Sequence, residues 1–153
     1  MKWLETRIPP VFVVLIIAAL MWVLANITHL HIGILPYNKR LAALFLLAAI
    51  IIGLLAVRDF KRANTTVNPV KVNTASHLVT NGVFSYSRNP MYLAMLFMLI
   101  AWGFYLTNIL ALVFSFSFVI YMNRFQIYPE EQALRKIFPI DYRNYCQQVR
   151  RWL

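Results

Sequence analysis

A basic residue, an amide and two phenols crowd the mouth of a very apolar run. In the stretch GVFSYSRNPMYLAMLF, Tyr86 leads into Arg88, Asn89 and Pro90, and Tyr92 follows. A second polar cluster, Glu130 and Glu131, follows the last apolar run and holds two of the chain's five acidic residues. Each cluster has an ordinary structural account. Arg88 can snorkel, Asn89 can cap and Pro90 can open a helix. The glutamates can compensate a helix dipole, with Glu131 reaching Arg135 one turn on. Chemistry that needs polar groups therefore has two places to occur, the loop before Met91 and the tail after the last apolar run.

The elements that must position these residues follow from composition. The 153 residues are 61% hydrophobic, with fifteen Lys and Arg against five Asp and Glu. Soluble domains are closer to half apolar and about a quarter charged. The chain reads as an all-α integral membrane bundle, one domain over 1–153, with spans at about 8–28, 41–57, 91–105 and 109–127 and a C-terminal helical tail over 128–153. Leu106, Thr107 and Asn108 separate the last two spans, so a tight hairpin is expected there, bringing the Arg88 and Glu130 clusters together. Pro129 suits the first position of a tail helix, and Tyr142, Tyr145, Val149 and Trp152 recur at the spacing of an interfacial helix with aromatic anchors.

Lys39 and Arg40 lie on one side of this arrangement and every other Lys and Arg on the opposite one. The positive-inside rule makes that opposite side cytoplasmic, with both termini there, at the inner membrane if the source is bacterial. The first span, longer than a signal-peptide core and lacking a cleavage pattern, is expected to be an uncleaved anchor. Because the basic charge follows topology, it points to anionic lipid rather than nucleic acid. Cys146, the single cysteine, excludes an intrachain disulfide and a multi-cysteine metal site, and reads as a small helix residue. His29, His31 and His77 lack acidic or cysteine companions, so no metal is expected.

The stretches LVTNGVFSYSRNPMYL and EEQALRKIFPIDYRNYCQQVRRWL resemble the superfamily of isoprenylcysteine carboxyl methyltransferases and phospholipid methyltransferases, which are integral membrane enzymes. That superfamily carries Arg-His-Pro-x-Tyr after a Gly-aromatic-x-Tyr lead, then Glu-Glu-x-x-Leu, a Phe, a Tyr-x-x-Tyr and a terminal Val-x-Arg. Gly82, Tyr86, Arg88, Asn89, Pro90 and Tyr92 fall on the first motif. Glu130, Glu131, Leu134, Tyr142, Tyr145 and Arg151 fall on the second. Asn89 replaces the usual His, which removes a titratable group, and Arg150 stands where a proline is common.

The resemblance implies S-adenosylmethionine as cofactor. Its binding residues are then Tyr86, Arg88, Asn89, Pro90, Tyr92, Glu130, Glu131, Leu134, Tyr142 and Tyr145. Either glutamate could hold the cofactor's amino group, Arg88 its carboxylate, and Tyr92 could face the sulfonium. Gly33, Gly53, Gly82 and Gly103 are too scattered for the glycine-rich turn of a soluble nucleotide-binding sheet, so such a site would be helical and embedded in the membrane.

The implied reaction is methyl transfer to a lipophilic or prenylated acceptor drawn from the bilayer. Carboxyl O-methylation of an S-isoprenylcysteine-type substrate leads, since an ionised carboxylate needs no base, with Arg88, Arg124 and Arg151 as catalytic candidates. N-methylation of an amino-headgroup phospholipid is the second reading, and a non-catalytic membrane protein that binds lipid or a partner is the third. Met91, Met95 and Met98 form a helical stripe better suited to packing or lipid contact than to the site.

Overall fold

The structure, a computed structural model, describes residues 8–28, 30, 37–62 and 78–153. Lys2, Arg7, His29, His31, Lys71 and His77, with most of the loop before Leu78, lie outside the described residues. Seven α-helices form the described chain: α1 Pro10–Ile27, α2 Asn38–Arg62, α3 Pro90–Tyr105, α4 Ile109–Phe114, α5 Ser117–Met122, α6 Tyr128–Ile137 and α7 Pro139–Gln148. A short 3-10 turn spans Gly82–Ser85 and a π-helical turn spans Asn123–Ile127.

Among the described residues, three helical paths are long and apolar enough to cross a membrane: Pro10–Ile27, Asn38–Arg62 and Ile109–Ile137. At 25 residues α2 is longer than the expected 41–57. It measures roughly 37 Å, so its charged ends clear a hydrocarbon core of about 30 Å. With 16 residues α3 is apolar but shorter than that core, at roughly 24 Å. It is packed on both sides, by α2 through Ala42, Ala49 and Ala56 and by the core residues of α1 and α5. Small side chains let α2 lie close along α3.

As expected, Pro129 stands in the first turn of the tail helix α6, but that helix is continuous with the preceding span. Ile109–Ile137 is one helical path whose winding changes at Ser115–Phe116 and again at the π turn. Pro129 has no N–H, and its ring would press on the carbonyl four residues back in an α-helix. The π turn lies just before it, and Tyr128 N–H donates to Asn123 O, five residues back. The wide turn absorbs the proline, and α6 continues with Glu130 and Glu131 in its first turn.

The hairpin between α3 and α4 is anchored by Asn108, which is fully buried. Its Oδ1 accepts from Ala111 N–H at 3.0 Å, capping α4, and its Nδ2 donates to Thr28 O at 2.8 Å. Thr107 takes the left-handed conformation at φ 51°. Gly103 makes the crossing possible, because a Cβ there would stand 2.9 Å from Leu112 Cα. Met21, Leu99, Phe118, Met122 and Ile127 fill the core below, and Trp102 Nε1 donates to Ala18 O at 3.1 Å.

Candidate active site

The hairpin brings the two polar clusters together. Tyr92, in the first turn of α3, donates its hydroxyl to Glu130 Oε1 at 2.6 Å. Next to it, Glu131 is 5% exposed and takes two arginines. Arg151 approaches in the bidentate manner, Nε to Oε1 at 3.0 Å and Nη2 to Oε2 at 2.7 Å. Arg88 Nη2 stands 3.4 Å from Oε1 of the same carboxylate. This bond with Glu131 holds the Arg151 guanidinium above its ordinary pKa. Arg135 points out to solvent, so the expected bridge from Glu131 along α6 gives way to these longer-range pairs.

Arg88 is the most connected member. Its Nη1 also reaches Tyr142 Oη at 3.4 Å and makes a close contact with Cys146 Sγ, while its buried Nε has no hydrogen-bond partner. Its backbone N–H donates to Arg150 O at 3.0 Å. Asn89 sits at the N-cap of α3, yet its side chain does not cap the helix; Nδ2 donates to Arg151 O at 3.0 Å. Pro90 opens α3 as expected. The C-terminal strand of chain is thus lashed to the start of α3, and Trp152 Nε1 ties it to Asn123 Oδ1 at 3.1 Å in the π turn.

The segment ahead of Arg88 is fixed from α2. Asp59 Oδ2 accepts from Val83 N–H at 3.1 Å, and Phe60 meets Phe84 edge-on at 4.9 Å. Gly82 holds φ 65°, and a Cβ on it would fall 2.0 Å from Asp59 Oδ2. Only glycine meets both conditions.

The aromatic spacing in the tail does not make an interfacial anchor. Tyr142, Tyr145 and Val149 are buried, with the partly buried Leu78, Leu134, Phe138 and Cys146 packed against them. Burial pushes both phenols above their usual range, and Tyr145 donates to Phe84 O at 2.6 Å. Leu134 supplies apolar packing to this cluster. Tyr86, 77% exposed, and Arg124, exposed against the Phe125 ring at 5.7 Å, are placed at the surface. Cys146, which reads from the sequence as a small helix residue, joins the site through Arg88; its position one turn after Tyr142 was the available signal.

A sequence model of the phospholipid methyltransferase family matches residues 37–140, about two thirds of the chain. The chain belongs to that family. Phospholipid methyltransferases lie within the isoprenylcysteine and phospholipid methyltransferase superfamily, transfer methyl groups to lipid-related substrates, and generally use S-adenosylmethionine. The matched stretch runs from the start of α2 to the start of α7, so Arg88, Tyr92, Glu130 and Glu131 fall within it, while Tyr142, Cys146 and Arg151 close on it from beyond. An uncharacterized protein of Haemophilus influenzae is 46% identical over 63 residues, which is 41% of this chain and the whole of that protein. No solved structure matches. Membership of this family and three helices of spanning length together fit an integral membrane protein.

Proposed function

We propose that the chain transfers a methyl group from S-adenosylmethionine to a lipophilic acceptor that enters from the bilayer. Glu130 carries this reading. It is a half-buried carboxylate whose single hydrogen-bond partner among the described residues is the Tyr92 hydroxyl, while Glu131 beside it is held by two arginines. The two glutamates therefore divide the work, Glu131 tying the site together and Glu130 left to receive a ligand.

The residues present fit the cofactor. S-adenosylmethionine, when bound, supplies an electrophilic methyl group on a sulfonium sulfur. Glu130 accepts hydrogen bonds from the cofactor's ammonium group, with Tyr92 holding the carboxylate in place. The buried Nε–H of Arg88 is the donor for its carboxylate, since a guanidinium N–H left without a partner is costly until something accepts from it. Asn89 and Arg88, bonded to the carbonyls of Arg151 and Arg150, close this end of α3 and keep water out. Displacement at a methyl group depends on alignment, and fixing the partners contributes about 7–11 kcal/mol.

For the acceptor, the arginine arrangement favours an amino-headgroup phospholipid over an S-isoprenylcysteine carboxylate. Arg151, the natural candidate to orient an acceptor carboxylate, is closed on Glu131, and Arg88 shares that carboxylate. An amine needs no arginine; it attacks as the neutral nitrogen, having lost its proton to water before it enters the site. The carboxylate reading keeps Arg124, at the surface beside Phe125, as its orienting cation. In this proposal α3 serves as the fourth span of a single domain, and the site and both termini face the cytoplasm, where basic residues concentrate.

Transfer of labelled methyl groups in proteoliposomes tests the assignment, with phosphatidylethanolamine and an S-farnesylcysteine offered separately. Label in the amino lipid is expected. Label only in the farnesylcysteine would move the assignment to carboxyl methylation, and cofactor binding without transfer to either would favour a lipid- or partner-binding protein.

A further inference from the structure

The outer face of α2 carries a row of exposed apolar side chains. Leu44, Leu47, Ile51 and Leu54 recur at intervals of three and four, so they share one side of the helix. Each is between 48% and 66% exposed. Ala42, Ala49 and Ala56, buried against α3, lie on the far side. The same spacing carries the stripe on to Arg58 and Lys61. There it meets a shallow, open groove at the surface, lined by Leu54, Val57, Arg58, Lys61 and Arg62.

The exposed charge at this end of α2 is basic. Asp59 is the acidic residue of α2, and it is engaged by Arg58 Nη2 at 3.0 Å and by Val83 N–H. Lys61 and Arg62 are exposed. A ligand that satisfies the surface must offer negative charge at the groove and a long apolar tail below it. From Leu44 to Leu54 the apolar track is roughly 15 Å long, half of a hydrocarbon core of about 30 Å and so the depth of one leaflet.

We propose that this face of α2 binds an anionic phospholipid, its headgroup phosphate in the groove of Arg58, Lys61 and Arg62 and an acyl chain along Leu54, Ile51, Leu47 and Leu44. The lipid is a resident of the helix surface rather than the methyl acceptor. It sits on the side of α2 turned away from α3, and its binding stands whether or not the chain transfers methyl groups. Through Asp59 and Phe60, the residues that hold Val83 and Phe84, the bound lipid steadies the segment leading to Arg88.

Native mass spectrometry and thermal unfolding of the detergent-purified full chain test this, with phosphatidylglycerol, phosphatidylcholine and inorganic phosphate added separately. Phosphatidylglycerol is expected to stay bound through delipidation and to raise the melting temperature, with the other two doing neither. The Lys61→Gln/Arg62→Gln pair should lower phosphatidylglycerol retention by roughly tenfold or more, since each basic residue contributes about fivefold near a membrane surface. The Arg135→Gln/Lys136→Gln pair, on α6, should keep it. Equal retention of phosphatidylcholine would show an apolar track without headgroup selection, and equal stabilisation by inorganic phosphate an anion site without a lipid. Unchanged retention in the Lys61/Arg62 variant, or a dimer that loses mass when Leu47 and Leu54 are made polar, would also overturn the proposal.

Discussion

Arg151 grips Glu131 with two hydrogen bonds of 3.0 and 2.7 Å across twenty residues of sequence. Glu131 sits in the first turn of α6 and Arg151 two residues from the C-terminus, so the pair fastens the end of the chain over the mouth of the α3–α4 hairpin. Arg88, 12% exposed at its side chain, shares the same carboxylate. One carboxylate therefore pairs with two cations, and the triad keeps a net positive charge; in the proposed function Glu130, which lies outside the triad, receives the ligand.

Glu131→Gln is expected to destabilise the protein rather than merely weaken ligand binding. Removing the acid leaves Arg88 buried without its counter-charge, a change that costs about 3–5 kcal/mol in buried pairs. The lower part of that range is expected, since Arg151 remains partly exposed and can turn to solvent. Thermal unfolding in detergent should show the loss. A variant as stable as the parent would remove the triad from the account of the fold.

Gly82→Ala tests how the segment before Arg88 is held. A left-handed backbone costs a non-glycine residue roughly 1–2 kcal/mol, and the methyl group would also displace the Asp59 carboxylate from Val83 N–H. Destabilisation of about 2 kcal/mol or more is expected, together with faster amide exchange over Val83–Ser87. An unchanged melting temperature and exchange pattern would show that the Asp59 anchor is dispensable.

The pH dependence of stability should appear on the alkaline side. Burial raises the Tyr142 and Tyr145 phenols in the folded chain, while an unfolded tyrosine titrates near about 10. The folded state thus retains protons that the unfolded state releases. Their contribution is complete below about pH 10 and is lost as pH rises through the folded values. Melting temperatures taken upward from pH 9 should fall past pH 10. Tyr145→Phe should flatten that fall while lowering stability at pH 8, because Phe84 O loses its donor.

The sequence revealed which residues meet but not how they share the work. The motifs ahead of α3 and at the start of α6 are joined by a three-residue hairpin, so topology alone makes Tyr92 and Glu130 neighbours. That Glu131 takes both arginines while Glu130 takes only Tyr92 depends on where the chain end returns, and spacing along α6 carries no trace of Arg151. Asn89 illustrates the same limit: it reads as a cap, yet the carbonyl of Arg151 competes for its side chain and wins. Pro129 reads as a helix start because local rules do not anticipate a π turn that lets the helix run through. Tyr142 and Tyr145 read as interfacial anchors because helical periodicity shows an apolar face without showing whether lipid or Leu78, Leu134 and Phe138 will cover it.

Calorimetric titration of the purified protein with S-adenosylmethionine, alongside Glu130→Gln and Tyr92→Phe, tests the central claim most directly. The account predicts saturable binding by the parent. It also predicts affinity lowered about tenfold or more in both variants, as expected for loss of a hydrogen bond to a charged group, with the melting temperature nearly unchanged. Undiminished binding by a well-folded Glu130→Gln variant would contradict it.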